Sequence, residues 1–256
     1  MGLDECIERC YDGLPADSHE RDHVIDLLFE ILETTADFQG WSPTDIKKLT
    51  KVGHHALSAV RERFTVPLLT KLYAANVDGA TRSDRTREHQ DHHGVVLEAH
   101  LHTYAADTAK LLYDITGRQQ YLEAAYTHRL QAGHKTQSVE SFHASHSYSF
   151  AAEYARELWN KTKDVNWAVR CYQSNWLVVV YASDQRHKAF AYLHAGEISE
   201  KLWNTTHQRS WLSRSVENYN GFLEFFDLAS ERQLTGLYRH AQRQHRKLSG
   251  LLRSQP

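Results

Sequence analysis

The sequence predicts an all-α fold: a right-handed solenoid of helical hairpin repeats, with a helical N-terminal part and a C-terminal capping helix. Three observations carry this. The four prolines stand at Pro15, Pro43, Pro67 and Pro256, so positions 68–255 hold no helix breaker. Leu158-Trp159-Asn160-x-Thr162 recurs 46 residues earlier as Leu112-Tyr113-Asp114-x-Thr116 and 44 residues later as Leu202-Trp203-Asn204-x-Thr206. Each copy has an alanine seven residues before its leucine, at Ala105, Ala151 and Ala195. A period of that length marks stacked supersecondary units.

In chain order, residues 1–22 are polar and broken by Gly13 and Pro15, and read as a short turn or helix near Cys6 and a connector. Val24, Leu27, Leu28, Ile31 and Leu32 then recur at helical spacing and make one apolar face. Ser42-Pro43 opens the next helix, with Ser42 as N-cap and Pro43 in the first turn. That helix carries Ile46, Leu49, Val52, Ala56, Leu57 and Val60. Phe64 to Val66 are expected as a boundary, because proline disfavours helix at the residue before it. Pro67 then opens a short helix through Leu68, Leu69, Leu72 and Tyr73. These elements form an N-terminal helical region, 1–77. Whether it continues the solenoid or stands apart stays open at this point. A polar, His-rich loop is expected over 78–94, and the repeats with their cap over 95–256.

Within each repeat the first helix buries a stripe: Ala105, Thr108, Ala109 and Leu112; then Ala151, Tyr154, Ala155 and Leu158; then Ala195, Ile198, Ser199 and Leu202. Small residues in the stripe let a neighbouring helix approach closely. The Asp or Asn followed two residues later by Thr reads as a helix end feeding a turn. The second helix buries Tyr121, Leu122 and Ala125, then Trp167, Ala168 and Cys171, then Trp211, Leu212 and Ser215. Tyr238, Ala241 and Leu248 repeat the first-helix spacing once more without the aromatic. The basic outer face there suits a cap.

This hairpin pattern over roughly 96–249 resembles the tetratricopeptide-repeat-like α-solenoids. It departs from them in its longer unit and in lacking a proline between units. The resemblance implies a protein-interaction scaffold whose first helices line a concave groove, and it carries over no catalytic residue.

A formal charge of −2 gives no reason to expect nucleic acid or an anionic membrane as partner, and no apolar run is long enough to span a bilayer. The acidic start lacks an apolar stretch, and three cysteines make no disulfide framework, so a cytoplasmic protein is expected. No phosphate-binding loop, dinucleotide fingerprint, nucleophile elbow or C-x-x-C occurs.

Three functional readings follow. In the first, the protein binds a protein or peptide through first-helix positions that the buried stripes leave free: His100, Tyr104 and Asp107, then Phe150, Glu153 and Arg156, then His194 and Glu197. Tyr104, Phe150 and His194 are equivalent, and form either a ladder of rings in a groove or packing against the next helix. This reading needs no cofactor. The second is a helical metal-binding protein or metal-dependent hydrolase. Eighteen histidines are many for this length, and they concentrate over 88–102. His89, His92, His93, Glu98 and His102 offer imidazole and carboxylate ligands for zinc or another divalent transition metal. Glu98 and His102 are one helical turn apart, although no H-E-x-x-H is present. The third is a structural subunit that self-associates through exposed aromatics.

Overall fold

The computed structural model describes residues 14–35, 38, 40–85, 92–226 and 234–254. Among these, ten α-helices and one 3-10 turn leave only short connections, and no strand occurs. The helices are α1 (Ser18–Thr34), α2 (Pro43–Ala59), α3 (Val66–Arg85), α4 (His92–Thr116) and α5 (Gln119–Thr136). They continue with α6 (Ser141–Thr162), α7 (Val165–Tyr181), α8 (Gln185–Thr206), α9 (Arg209–Phe225) and α10 (Thr235–Ser254). The expected turn around Cys6 lies outside the described residues. The chain divides into two compact units, Met1–Lys135 and Thr136–Pro256.

In the first unit, the side chain of Asp17 caps α1 by accepting from the Glu20 amide at 2.9 Å. Ser42 and Asp45 close a capping box at the start of α2, with Pro43 in its first turn. Phe64 is extended and α3 begins at Val66, so the expected boundary falls within 64–66. The core joins Ile25, Leu28 and Leu32 of α1, Ile46 and Leu49 of α2, Leu69 and Leu72 of α3, and Leu101 and Leu112 of α4.

Two expectations change here. The polar stretch 78–94 is helical at both ends, since α3 runs to Arg85 and α4 starts at His92. Composition hides this because small residues make the packing. Ala80 is fully buried, and a Cβ on Gly79 would lie 2.9 Å from Cγ2 of Ile46, so α3 approaches α2 closely there. An Asp78–Arg82 ion pair one turn apart supports the same helix. The division of the chain also falls elsewhere. The first repeat hairpin, α4 and α5, belongs with the N-terminal helices, because Leu101, Leu111 and Leu112 join their core.

In the second unit, consecutive helices from α6 to α10 pack against one another. The buried stripes are those read from the repeats: Ala151, Ala155, Leu158, Ala195 and Ser199 are fully enclosed, as are Ala168, Leu212 and Ser215. The Ser215 hydroxyl donates to the Gly196 carbonyl at 3.0 Å, which brings α9 against α8 with nothing between them. α10 sets Ala241 and Leu248 against α9 and leaves Arg239, Arg243, Arg246 and Lys247 exposed. The helix read as a cap therefore has one apolar face and one charged face.

The repeated threonine has a defined task. Thr116, Thr162 and Thr206 donate their hydroxyls to the carbonyls of Leu112, Leu158 and Leu202, at 2.6, 2.8 and 2.8 Å. The same oxygens accept from the amides of Arg118, Asp164 and Gln208, the first residues beyond each turn. Gly117, Lys163 and His207 between them adopt left-handed backbone, with φ of 67°, 58° and 55°. Each of their amides closes the helix on the carbonyl of the repeat aromatic, Tyr113, Trp159 or Trp203. The motif thus encodes a helix stop and a tight reversal. Its aromatic is half-buried in all three copies, outside the fully enclosed stripe. Lys201 lies over the Trp159 ring at 5.3 Å.

Candidate functional site

The first-helix positions left free by the stripes have different fates in the two units. In the first, Asp107 accepts from Arg129 of α5 and lies 3.9 Å from His54 of α2. Tyr104 packs against His54 at 5.2 Å between ring centroids and stacks on His100. His100, Tyr104 and Asp107 therefore meet partners from their own unit.

In the second unit the equivalent positions converge on a hollow of about 260 Å³ between α6 and α8. Phe150, Glu153 and Arg156 of α6 line it, with His194 of α8. Glu197 stands beside it, 3.6 Å from Nδ1 of His194. The repeat geometry explains the walls. His146 and Phe150 lie one helical turn apart on α6, and Phe190 and His194 are their equivalents on α8. The His146 and Phe150 rings meet edge to face at 4.9 Å. Ala152, Ala191 and Ile198 make the interior apolar, and Cys171 and Asn175 of α7 form the base.

Burial pushes the Cys171 thiol up to about 12, against the pull of Arg156, Lys201 and the Asn175 amide, and Glu197 adds to the rise. The thiol at the base is therefore unreactive. Burial also pushes the Glu197 carboxyl up, but the hydrogen bond and charge of His194, with Lys201 and His240, outweigh it, so the group titrates lower than usual. Burial lowers His187, partly offset by Asp184, and its Nε2 lies 2.7 Å from the Ser149 hydroxyl, a link between α8 and α6. Arg156 forms no ion pair or hydrogen bond among the described residues. The hollow thus combines aromatic and aliphatic walls with one uncommitted guanidinium.

The metal-ligand candidates come together only in part. His89 lies outside the described residues; His92 and His93 open α4, but their side chains are not among those described. Glu98 and His102 do share a face, buried and 3.8 Å apart. Each meets another protein group: Glu98 accepts from Lys135 at 2.7 Å, and His102 faces His128 at 3.1 Å. No group of three potential ligands occurs among the described residues.

Sequence reasoning singled out four of the groove side chains but not the floor, His146 or Phe190. The last two were legible, since they sit one turn before Phe150 and His194 in the same alignment of repeats. No helix among the described residues is long and apolar enough to cross a membrane. In comparisons with protein families, curated proteins and solved structures, nothing matches this chain.

Proposed function

We propose that the second unit is a protein-interaction module, tetratricopeptide-like in its hairpin repeats, that holds a segment of a partner in the hollow between α6 and α8. One observation carries this: ring pairs at equivalent positions of two successive repeats line one apolar hollow beside an Arg156 that forms no ion pair or hydrogen bond among the described residues. An apolar or aromatic side chain of the partner fills the space between Phe150 and Phe190. A carboxylate next to it in the partner meets Arg156, since a charge-assisted hydrogen bond in a partly buried setting is worth more than a neutral one. The Cys171 thiol is held neutral by burial, and the Ser149–His187 contact is read as a tie between α6 and α8, so the reading is binding and not turnover.

A random peptide library selected on the immobilised full chain tests this. Selected peptides are expected to share an apolar residue beside an acidic one. Their affinity should fall roughly 10- to 100-fold in Arg156→Met and in Phe150→Ala, the loss of one good anchor. Selection of peptides indifferent to both substitutions, in variants whose helix content is unchanged, would overturn the reading.

A further inference from the structure

A second hollow in the same unit, about 470 Å³, shares no lining residue with the first and stands independently of the function proposed above. It lies among α7, α8 and α9. Trp176 of α7 is 44% exposed, an unusual position for the largest apolar ring, and Tyr192 of α8 meets it at 6.3 Å and 75°. Together the two rings form a corner. Tyr192 is held in place, stacked on Phe225 at 5.6 Å and lying over Gly221, where a Cβ would come within 2.7 Å of the ring.

Two carboxylates are among the polar groups that line this hollow. Glu217 and Glu224 stand seven residues apart on α9, two turns along one face. Neither has an ion-pair partner among the described residues; Glu217 accepts only a hydrogen bond from Ser213. Asn218 is 2% exposed, gives its amide hydrogen to the Arg214 carbonyl, and its own oxygen finds no partner among the described residues. The cation in the lining, Arg214, is already committed to ring faces, 5.4 Å from Tyr172 and 4.6 Å from Trp211. Lys188 covers Phe225 in the same manner at 5.0 Å. Among the described residues, the faces of Trp176 and Tyr192 carry no such cation.

We infer that the corner formed by Trp176 and Tyr192 binds an alkylated ammonium group, either of a free small molecule or of a methylated side chain. A neutral apolar ligand would desolvate two carboxylates without compensation. A bare metal ion would find two carboxylates and rings that cannot ligate it. A primary ammonium is more strongly hydrated and loses more on entry. A methylated ammonium sets its methyl groups on the aromatic faces, and its charge is balanced by Glu217 and Glu224.

The test is a ligand-observed NMR titration of the full chain with choline, using the N-methyl signal so that tryptophan variants remain readable. Saturable binding is expected at roughly millimolar Kd or tighter. The uncharged isostere 3,3-dimethylbutan-1-ol and the primary amine ethanolamine should each bind at least about tenfold more weakly, the contrast a cation–π site makes. Trp176→Ala should abolish the signal and Glu224→Gln weaken it, both with unchanged circular dichroism. A trimethyl-lysine peptide in parallel distinguishes a methylated side chain from a free ligand by which binds more tightly. Equal binding of choline and its uncharged isostere, binding that survives Trp176→Ala, or no saturable binding of either probe would overturn the inference.

Discussion

The Nδ1 atoms of His102 and His128 face each other at 3.1 Å inside the first unit, and both rings are buried. Two facing nitrogens can share one hydrogen and no more. One assignment of tautomers serves the contacts on both sides: the Tyr73 hydroxyl donates to His128 Nε2, His128 Nδ1–H donates to His102 Nδ1, and His102 Nε2–H points to Glu98. Lys135 completes the chain on Glu98. A second proton between the rings turns a hydrogen bond into a repulsive contact between two donors.

Acid should therefore weaken this unit. Burial lowers His128 to about 4, and the charge of His102 adds to that, against a smaller upward pull from the Gln131 side chain. A histidine with a depressed folded value is more readily protonated when unfolded, so its contribution is full above about 6.5 and is lost as pH falls toward 4. The loss across that window is about 3 kcal/mol for a shift of this size. Urea unfolding at pH 7.5 and about pH 4 measures it, and His128→Gln should flatten the dependence. An equally steep dependence in the variant would place the effect elsewhere.

The turn motif makes a second prediction. Lys163 and His207 hold left-handed backbone with side chains present, where the first repeat has Gly117. Relief of that strain should make Lys163→Gly and His207→Gly each stabilising by up to about 1 kcal/mol, and Gly117→Lys destabilising by a similar amount. Thr162→Val removes a hydroxyl that both donates to Leu158 and accepts from Asp164, and should cost about 1 kcal/mol. Thermal denaturation of the four variants checks the signs together.

The repeats made most of the second unit legible because packing acts through residue size, and size repeats. Ala105, Ala151 and Ala195 are each fully buried, as a stripe of small residues at one helical position implies. What the repeats could not say is which way a large residue turns. Trp159 and Trp167 both recur as aromatics, yet the first is half-buried beneath Lys201 and the second is 7% exposed. The α3 extension was invisible because Gly79 and Ala80 bury backbone without adding hydrophobic side chains. The hollow at Trp176 was equally hidden. Its counterparts in the other repeats are Leu130 and Asn220, so no periodic signal marks it.

That contrast gives a third prediction. Trp167→Ala should cost about 3–5 kcal/mol, in the range of buried aromatic truncations. Trp159→Ala should cost distinctly less, about 1–2 kcal/mol, since only part of its surface is removed from water. Chemical denaturation of the two variants side by side decides it, and equal losses would place Trp159 in the core.

The helical glycines supply the last prediction, because two opposed effects can be weighed at named sites. Replacing a mid-helix glycine by alanine gains up to about 1 kcal/mol of backbone entropy and helix propensity. At Gly250, where a Cβ would meet nothing within 4 Å, that gain should appear in full. At Gly221 the new methyl would stand 2.7 Å from two carbons of the Tyr192 ring, which is itself stacked on Phe225 and so has little room to retreat. Overpacking of that kind costs about 1–3 kcal/mol and wins. Gly250→Ala should therefore raise the melting temperature and Gly221→Ala lower it. A rise in both would mean that Tyr192 moves freely, and the aromatic corner with Trp176 would then lose the rigidity its proposed ligand requires.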